Sequence, residues 1–167
     1  MLLTKQLQDI KTLQQDVEGY DHINLKLNWE MLETRPHNET NDYFYYEDQE
    51  LVAFLGIYRF GNKAEICGMV RPSKRRNGYA GKLLNEALTQ LKSSGIQTVL
   101  LNIPSNSTTG HRFAKSQPVI YSFSEHQMKW NAHKRSETGR DDVVLKEAQA
   151  EDLEYYGIFS TSVSNDD

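Results

Sequence analysis

Between residues 64 and 103 the spacing of apolar side chains changes twice, and no other feature restricts the fold as much. Ala64–Val70 (AEICGMV) reads as a strand. After Pro72, the residues Ala80, Leu83, Leu84, Ala87, Leu88 and Leu91 fall on the three-and-four spacing of an amphipathic helix, which Gly95 ends. Thr98–Ile103 (TVLLNI), bounded by Gly95 and Pro104, is then a continuous apolar run of the kind expected for a strand covered on both faces. Strand, crossover helix and strand imply a parallel pair.

The flanking segments extend this unit. Leu7, Ile10, Leu13 and Val17 mark a helix from Thr4 to about Tyr20, ended by Gly19, and a second short helix is expected over Leu25–Glu33. The breaker-rich RPHNETND precedes two aromatic and β-branched runs, YFYYED and LVAFLGIYRF, that read as a hairpin turning around Glu47–Glu50. Gly61-Asn62 then turns the chain into the strand at Ala64, giving an antiparallel meander. A helix over Ser107–Lys115 and strands within Val119–Trp130 complete the body. The expected fold is α/β (α+β), a mixed central β-sheet flanked by helices, with N-terminal helices and a β-meander ahead of the loop at residue 70. Residues 1–133 are expected to form one domain. Residues 134–142 (KRSETGRDD) read as a linker, followed by a strand in VVLKEA and the start of a helix over Glu151–Phe159. No repeat of solenoid period is visible.

Charge and composition exclude several classes. The 167 residues carry a net charge of −4, but residues 134–167 hold nine acids against four bases, so the body is close to neutral. Phosphate-dominated nucleic-acid binding needs a broad basic face, and the body has none. A single cysteine, Cys67, excludes an internal disulfide framework, and His111, His126 and His133 lack metal-ligand spacing, so no metal is expected. No apolar run reaches membrane-spanning length, and the opening MLLTKQLQDIK turns polar after three residues. A soluble cytoplasmic protein is the expectation.

Within the body no acid lies between Glu65 and Glu86, whereas Arg71, Lys74, Arg75, Arg76 and Lys82 all do. That window joins a strand end to the start of the best-defined helix, where unpaired N–H groups and a partial positive charge favour an anion. Gly78 allows close backbone approach, and Ala80 and Gly81 keep bulk away. The loop is not a Walker A motif, since its first glycine would fall on Arg76 and Leu83 follows Lys82; nor does it fit G-x-G-x-x-G.

Val70, Pro72, Arg75, Gly78 and Ala80 do occupy every fixed position of V-x-P-x-x-[RQ]-x-x-G-x-[GA]. The segment resembles the coenzyme A loop of the GNAT N-acetyltransferase superfamily. The resemblance extends over about residues 42–130, including the meander before the loop, the helix and apolar strand after it, and Asn106 shortly beyond. It implies that acetyl-CoA lies with its pyrophosphate on the amides of Arg75–Gly81 and its pantetheine arm beside Cys67–Val70, where the parallel strands splay apart. The cofactor-binding set so implied is Met69, Val70, Arg75, Arg76, Asn77, Gly78, Tyr79, Ala80, Gly81 and Asn106.

The resemblance further implies direct attack of an amine on the thioester, helped by a carboxylate or water as base and a tyrosine as acid. Glu65 is the base candidate, one residue from a frequent family position held here by Ala64. The usual tyrosine position, seven residues after Asn106, holds Phe113, and Ser116-Gln117-Pro118 replaces the family's Gly-Phe; Tyr121, with His111 as substitute, is the acid candidate. Cys67 reads as a small buried hydrophobe near the thioester. The tail VVLKEAQAEDLEYYGIF is similar to the opening strand and helix of another such domain, which implies that residues 143–167 start a second, truncated domain; the alternative is that the segment completes the first domain's sheet. The expected activity is N-acetyl transfer to an unidentified amine of a small molecule or protein. The alternative is a catalytically silent CoA-binding half of a tandem protein, with a second domain or a homo-oligomer as partner.

Overall fold

The computed structural model describes residues 2–36 and 40–126, so the linker and tail expected beyond residue 133 lie outside the described residues. The chain divides into two compact units, Met1–Ser124 and Glu125–Asp167, and the elements below belong to the first. They run α1 (Thr4–Asp21), α2 (Trp29–Glu33), β1 (Asp42–Glu47), β2 (Glu50–Phe60), β3 (Lys63–Val70), a 3₁₀ turn (Pro72–Lys74), α3 (Tyr79–Ser93), β4 (Thr98–Leu101) and α4 (Thr108–Lys115). One sheet has the order β1-β2-β3-β4, antiparallel except for the parallel β3–β4 pair. The mixed sheet flanked by helices is therefore present, with the meander and the crossover where the periodicity puts them.

The central strand β2 is buried from Leu51 to Tyr58 because both faces are covered. On one face Ile10, Leu13 and Val17 of α1 and Leu32 of α2 pack on Leu51, Phe54, Tyr58, Cys67 and Met69. On the other, Leu83, Leu84, Ala87 and Leu91 of α3 pack on Ala53, Leu55, Ile57, Ala64 and Ile66. A bulge leaves Val52 without a partner, since Tyr45 faces Ala53 and Tyr46 faces Leu51. The extra residue shifts Leu51 to the α1 side. The Val52 carbonyl accepts a 2.8 Å bond from the Arg71 amide, which anchors the exit from β3.

Several boundaries differ from the sequence reading. The first helix runs through Gly19 and stops at His22, whose φ of 54° supplies the left-handed cap. Residues 25–28 are not helical: the Leu25 amide bonds the Glu18 carboxylate at 2.8 Å, and Asn28 caps a helix that begins only at Trp29. Leu88, counted in the α3 stripe, is exposed because the stripe is narrower than its spacing allows. The run Thr98–Ile103 forms a strand only to Leu101, and β4, the outermost strand among the described residues, is half-buried rather than covered on both faces. No strand forms over 119–126; Ile120, Tyr121 and Phe123 are exposed there, and the rest of the expected strand segment lies outside the described residues. Among the described residues no helix is long and apolar enough to cross a membrane.

Candidate active site

The parallel pair is hydrogen-bonded along only half of β3. Its register runs from Lys63–Thr98 to Ile66–Leu101, and the final link is the Asn102 amide on the Ile66 carbonyl at 2.9 Å. Beyond it the strands diverge, and among the described residues the edge of Cys67–Val70 has no strand partner on that side. A cleft of about 560 Å³ opens there, within the size range of small-molecule sites. Gly68, Met69 and Val70 form one wall and Leu101, Asn102 and Ile103 the other. Residues at the start of α3, the end of α1 and the inner side of α4 close it.

The loop entering α3 presents its backbone to this cleft. Arg76 (φ 67°) and Gly78 (φ 84°) are left-handed on either side of Asn77, an alternation that turns successive amides toward one side as an anion-binding nest. Gly78 is also the N-cap of α3, whose first intrahelical bond is from the Lys82 amide to the Gly78 carbonyl. The amides of residues 76–81 thus have no acceptor among the described residues. A Cβ added at Gly78 or Gly81 would meet nothing within 4 Å, so the space before these amides is open.

The basic side chains of the same loop are mostly committed elsewhere. Arg71 pairs with Asp16 at 2.5 Å and Glu50 at 3.3 Å, and Lys74 with Glu47 at 2.5 Å. Arg75 forms a bidentate pair with Asp21 at 2.8 and 2.6 Å while its Nε donates to the Val70 carbonyl. Glu47 also accepts from the Tyr79 hydroxyl, and the hydrogen bonds from Lys74 and Tyr79 hold its carboxyl below the usual range. The same bond pushes the Tyr79 phenol up to about 12. Among the described residues, Arg76 and Lys82 make no ion pair, Lys82 lying instead 4.9 Å over the Tyr45 ring. A loop read from the sequence as a cationic patch is, in the fold, chiefly a set of free amides.

Most of the expected cofactor set converges on the cleft: Met69, Val70, Arg75, Arg76, Gly78, Tyr79, Ala80 and Gly81 all line it. Two members do not. Asn77 donates its amide to the Lys74 carbonyl, and Asn106 donates to the His22 carbonyl at 2.9 Å, both outside the lining. The base candidate Glu65 sits one step behind the wall, 3.6 Å from Lys26 and 3.5 Å from the amide of cleft-lining Asn102. Tyr121 is 70% exposed and stacks on Phe123 at 5.6 Å, away from the cleft lining. His111 likewise lies outside the lining, its ring against the Ser105 carbonyl. Phe113, by contrast, lines the cleft.

Sequence reasoning missed Asp21, Ser107 and Gly110. Ser107 is buried and caps α4 through a 3.1 Å bond from the Gly110 amide. A Cβ on Gly110 would lie 2.8 Å from Ile103 and 2.9 Å from the Ser107 hydroxyl, so a larger residue there would force these side chains to shift. The Ser-x-x-Gly spacing is the available signal for the cap, but nothing local shows the contact to Ile103. Cys67 faces the α1 side, its thiol donating to the Lys26 carbonyl at 3.0 Å; burial, with Glu65 adding, pushes it up to about 12. Among the described residues no group of three or more His, Cys, Asp or Glu is placed to hold a metal.

The mixed sheet flanked by helices, with a parallel pair that splays beside a helix N-terminus, defines an α+β protein. The acetyltransferase (GNAT) family model matches residues 6–117, and the chain belongs to that family, whose enzymes use acetyl-CoA. Comparison with curated protein sequences gives no match. Among solved structures, the chain is similar to a GNAT-family acetyltransferase of Staphylococcus aureus, with 15% identity over 69% of this chain and 78% of that one and a TM-score of 0.59. The PaiA N-acetyltransferase of Thermoplasma acidophilum, solved with coenzyme A, shows 16% identity over 69% and 84% of the two chains, TM-score 0.55. An aminoglycoside acetyltransferase from an uncultured soil metagenomic sample, solved with sisomicin, shows 17% over 78% and 92%, TM-score 0.54.

Proposed function

We propose that this chain is an N-acetyltransferase that moves an acetyl group from acetyl-CoA to a primary amine of a small molecule or protein. The observation that carries the reading is the meeting of two backbone surfaces in one cleft: the edge of Cys67–Val70, which has no strand partner among the described residues, and the free amides of residues 76–81. A pyrophosphate accepts charge-assisted bonds from such amides, and the amide groups of a pantetheine arm match a vacant strand edge. When bound, acetyl-CoA supplies an acyl carbon to which the amine nitrogen bonds as the carbon–sulfur bond breaks.

This chain's residues then have two tasks. Glu65 would take the proton released by the amine through an intervening water, its carboxylate lying 3.5 Å from the amide of cleft-lining Asn102. The thiolate needs a proton, and Phe113 on the cleft wall has none to give. Tyr121 is not among the residues that line the cleft, so water is the donor in this reading. The second reading, a CoA-binding but catalytically silent half that scaffolds another domain, is favoured by the same Phe113.

Calorimetric titration with acetyl-CoA, followed by turnover on a panel of amines, separates the two. Binding with weak turnover that rises at least about tenfold in Phe113→Tyr supports the transferase reading with a missing acid, since general acid assistance is worth ~10²–10⁴. Binding with no turnover in either protein supports the silent half. Absence of binding refutes both.

A further inference from the structure

The end of α1 is tied to both walls of the cleft. Asp21, the last helical residue, holds Arg75 of the loop after β3 in a bidentate pair, with both side chains largely buried. The next residue, His22, offers its carbonyl to Asn106 of the loop after β4 at 2.9 Å. His22 is left-handed at φ 54°, so the helix stops abruptly and its last carbonyls turn outward there. Arg75 also donates through Nε to the Val70 carbonyl, which joins the strap to the end of β3 itself. These bonds link segments that are 54 and 84 residues apart in sequence. They cross the end at which β3 and β4 have lost their own hydrogen bonds.

We propose that the Asp21–His22 turn is a strap across the mouth of the cleft, and that Asp21, Arg75 and Asn106 are positioning residues that set its width. Arg75 and Asn106 are thereby assigned to α1 rather than to the cofactor. Two facts favour this over direct contact. The Arg75 guanidinium already gives three of its five N–H groups to the Asp21 carboxylate and the Val70 carbonyl, in the preferred fork geometry, and Asn106 is outside the cleft lining. Because α1 continues into the 23–28 segment, whose Ile23 and Leu25 also line the cleft, the strap couples that wall to the loop that holds the anion.

The inference rests on the reading of the cleft as the acetyl-CoA site, and one experiment separates their failures. Acetyl-CoA affinity is measured by calorimetry, well below the melting temperature, for the wild-type chain, Asp21→Asn, Asp21→Glu, Asn106→Ala and the Asp21→Asn/Asn106→Ala double variant. Removing a carboxylate from a cleft that takes a polyanion strengthens binding by Coulomb's law alone, and more so if it frees Arg75 for the phosphates. The strap predicts the opposite sign: Asp21→Asn weakens binding about tenfold through misplaced amides, and Asp21→Glu recovers most of it. Asn106→Ala also weakens binding, and the double variant is no weaker than the worse single one, because both substitutions release the same strap. Tighter or unchanged binding in Asp21→Asn, or additive losses, overturns the strap. Unchanged affinity in Asn106→Ala does the same even if Asp21→Asn fails to fold. No binding by the wild-type chain overturns the cofactor reading itself.

Discussion

Gly78 is where backbone conformation and ligand approach can be separated. Its φ is 84°, and a Cβ placed on it would touch nothing within 4 Å, so Gly78→Ala introduces backbone strain and no clash. An L-residue held in the left-handed region costs roughly 1–2 kcal/mol. The exposed loop can relieve that strain by rotating toward negative φ, which turns the amides of residues 77–79 out of the nest. The expected result is a loss of acetyl-CoA affinity of about tenfold, equivalent to ~1.4 kcal/mol, with little change in melting temperature. Gly81→Ala is the control. Gly81 lies in the first turn of α3 with ordinary helical φ and equally open space, so alanine there raises stability by up to ~1 kcal/mol and adds only bulk before the amides. Calorimetry and thermal melts on both variants decide the matter. Undiminished affinity in Gly78→Ala would remove the loop from the site and refute the reasoning.

Two further outcomes follow from buried titratable groups. Asp42→Ala leaves Arg35, 6% exposed and paired to Asp42 through two 3.1 Å contacts, as an unpaired buried cation; urea denaturation is expected to show a loss of about 3–5 kcal/mol, and a loss below ~1 kcal/mol would contradict it. Desolvation raises the Asp42 carboxyl despite Arg35, so the folded state binds this proton more tightly and the group's contribution falls as pH rises from the unfolded value to the raised one, not in acid. Cys67, its thiol pushed up to about 12 and bonded to the Lys26 carbonyl, is expected to resist iodoacetamide at pH 8 until the chain is unfolded; alkylation of the native protein at the rate of a free thiol would show that the 23–28 segment does not cover it.

What was legible in the sequence was whatever depends on near neighbours. The strand–loop–helix–strand unit announced itself because its periodicity is local, and the hairpin turn at Asp48-Gln49 has local chemistry too. Gly19 misled because a glycine is a permissive stop rather than an obligatory one, and tertiary contacts carried α1 onward to His22. Arg75 and Asn106 were found as important positions, but their partners, Asp21 and the His22 carbonyl, are distant in the chain and no pattern of spacing points to them. The Val52 bulge was invisible for a related reason: both registers of an apolar run as uniform as LVAFLGI look alike until the facing strand is known.

The acids that meet Arg71, Lys74 and Arg75 come from α1 and from the β1–β2 hairpin, two elements unrelated in sequence that converge on one loop. Had those cations stayed free, the loop would attract any polyanion, because exposed charge acts over the Debye length with little regard to shape. Paired, they brace the backbone and leave anion capture to amides that bond only over hydrogen-bonding distance and only along fixed directions. A ligand must then enter the nest at residues 76–81 to gain anything from it. The vacant edge of β3 adds a second requirement, since its donors and acceptors reward an extended chain that continues from the anion into the cleft. In the proposed function, selectivity for a long ligand carrying a pyrophosphate at one end would thus arise from what the loop withholds as much as from what it offers.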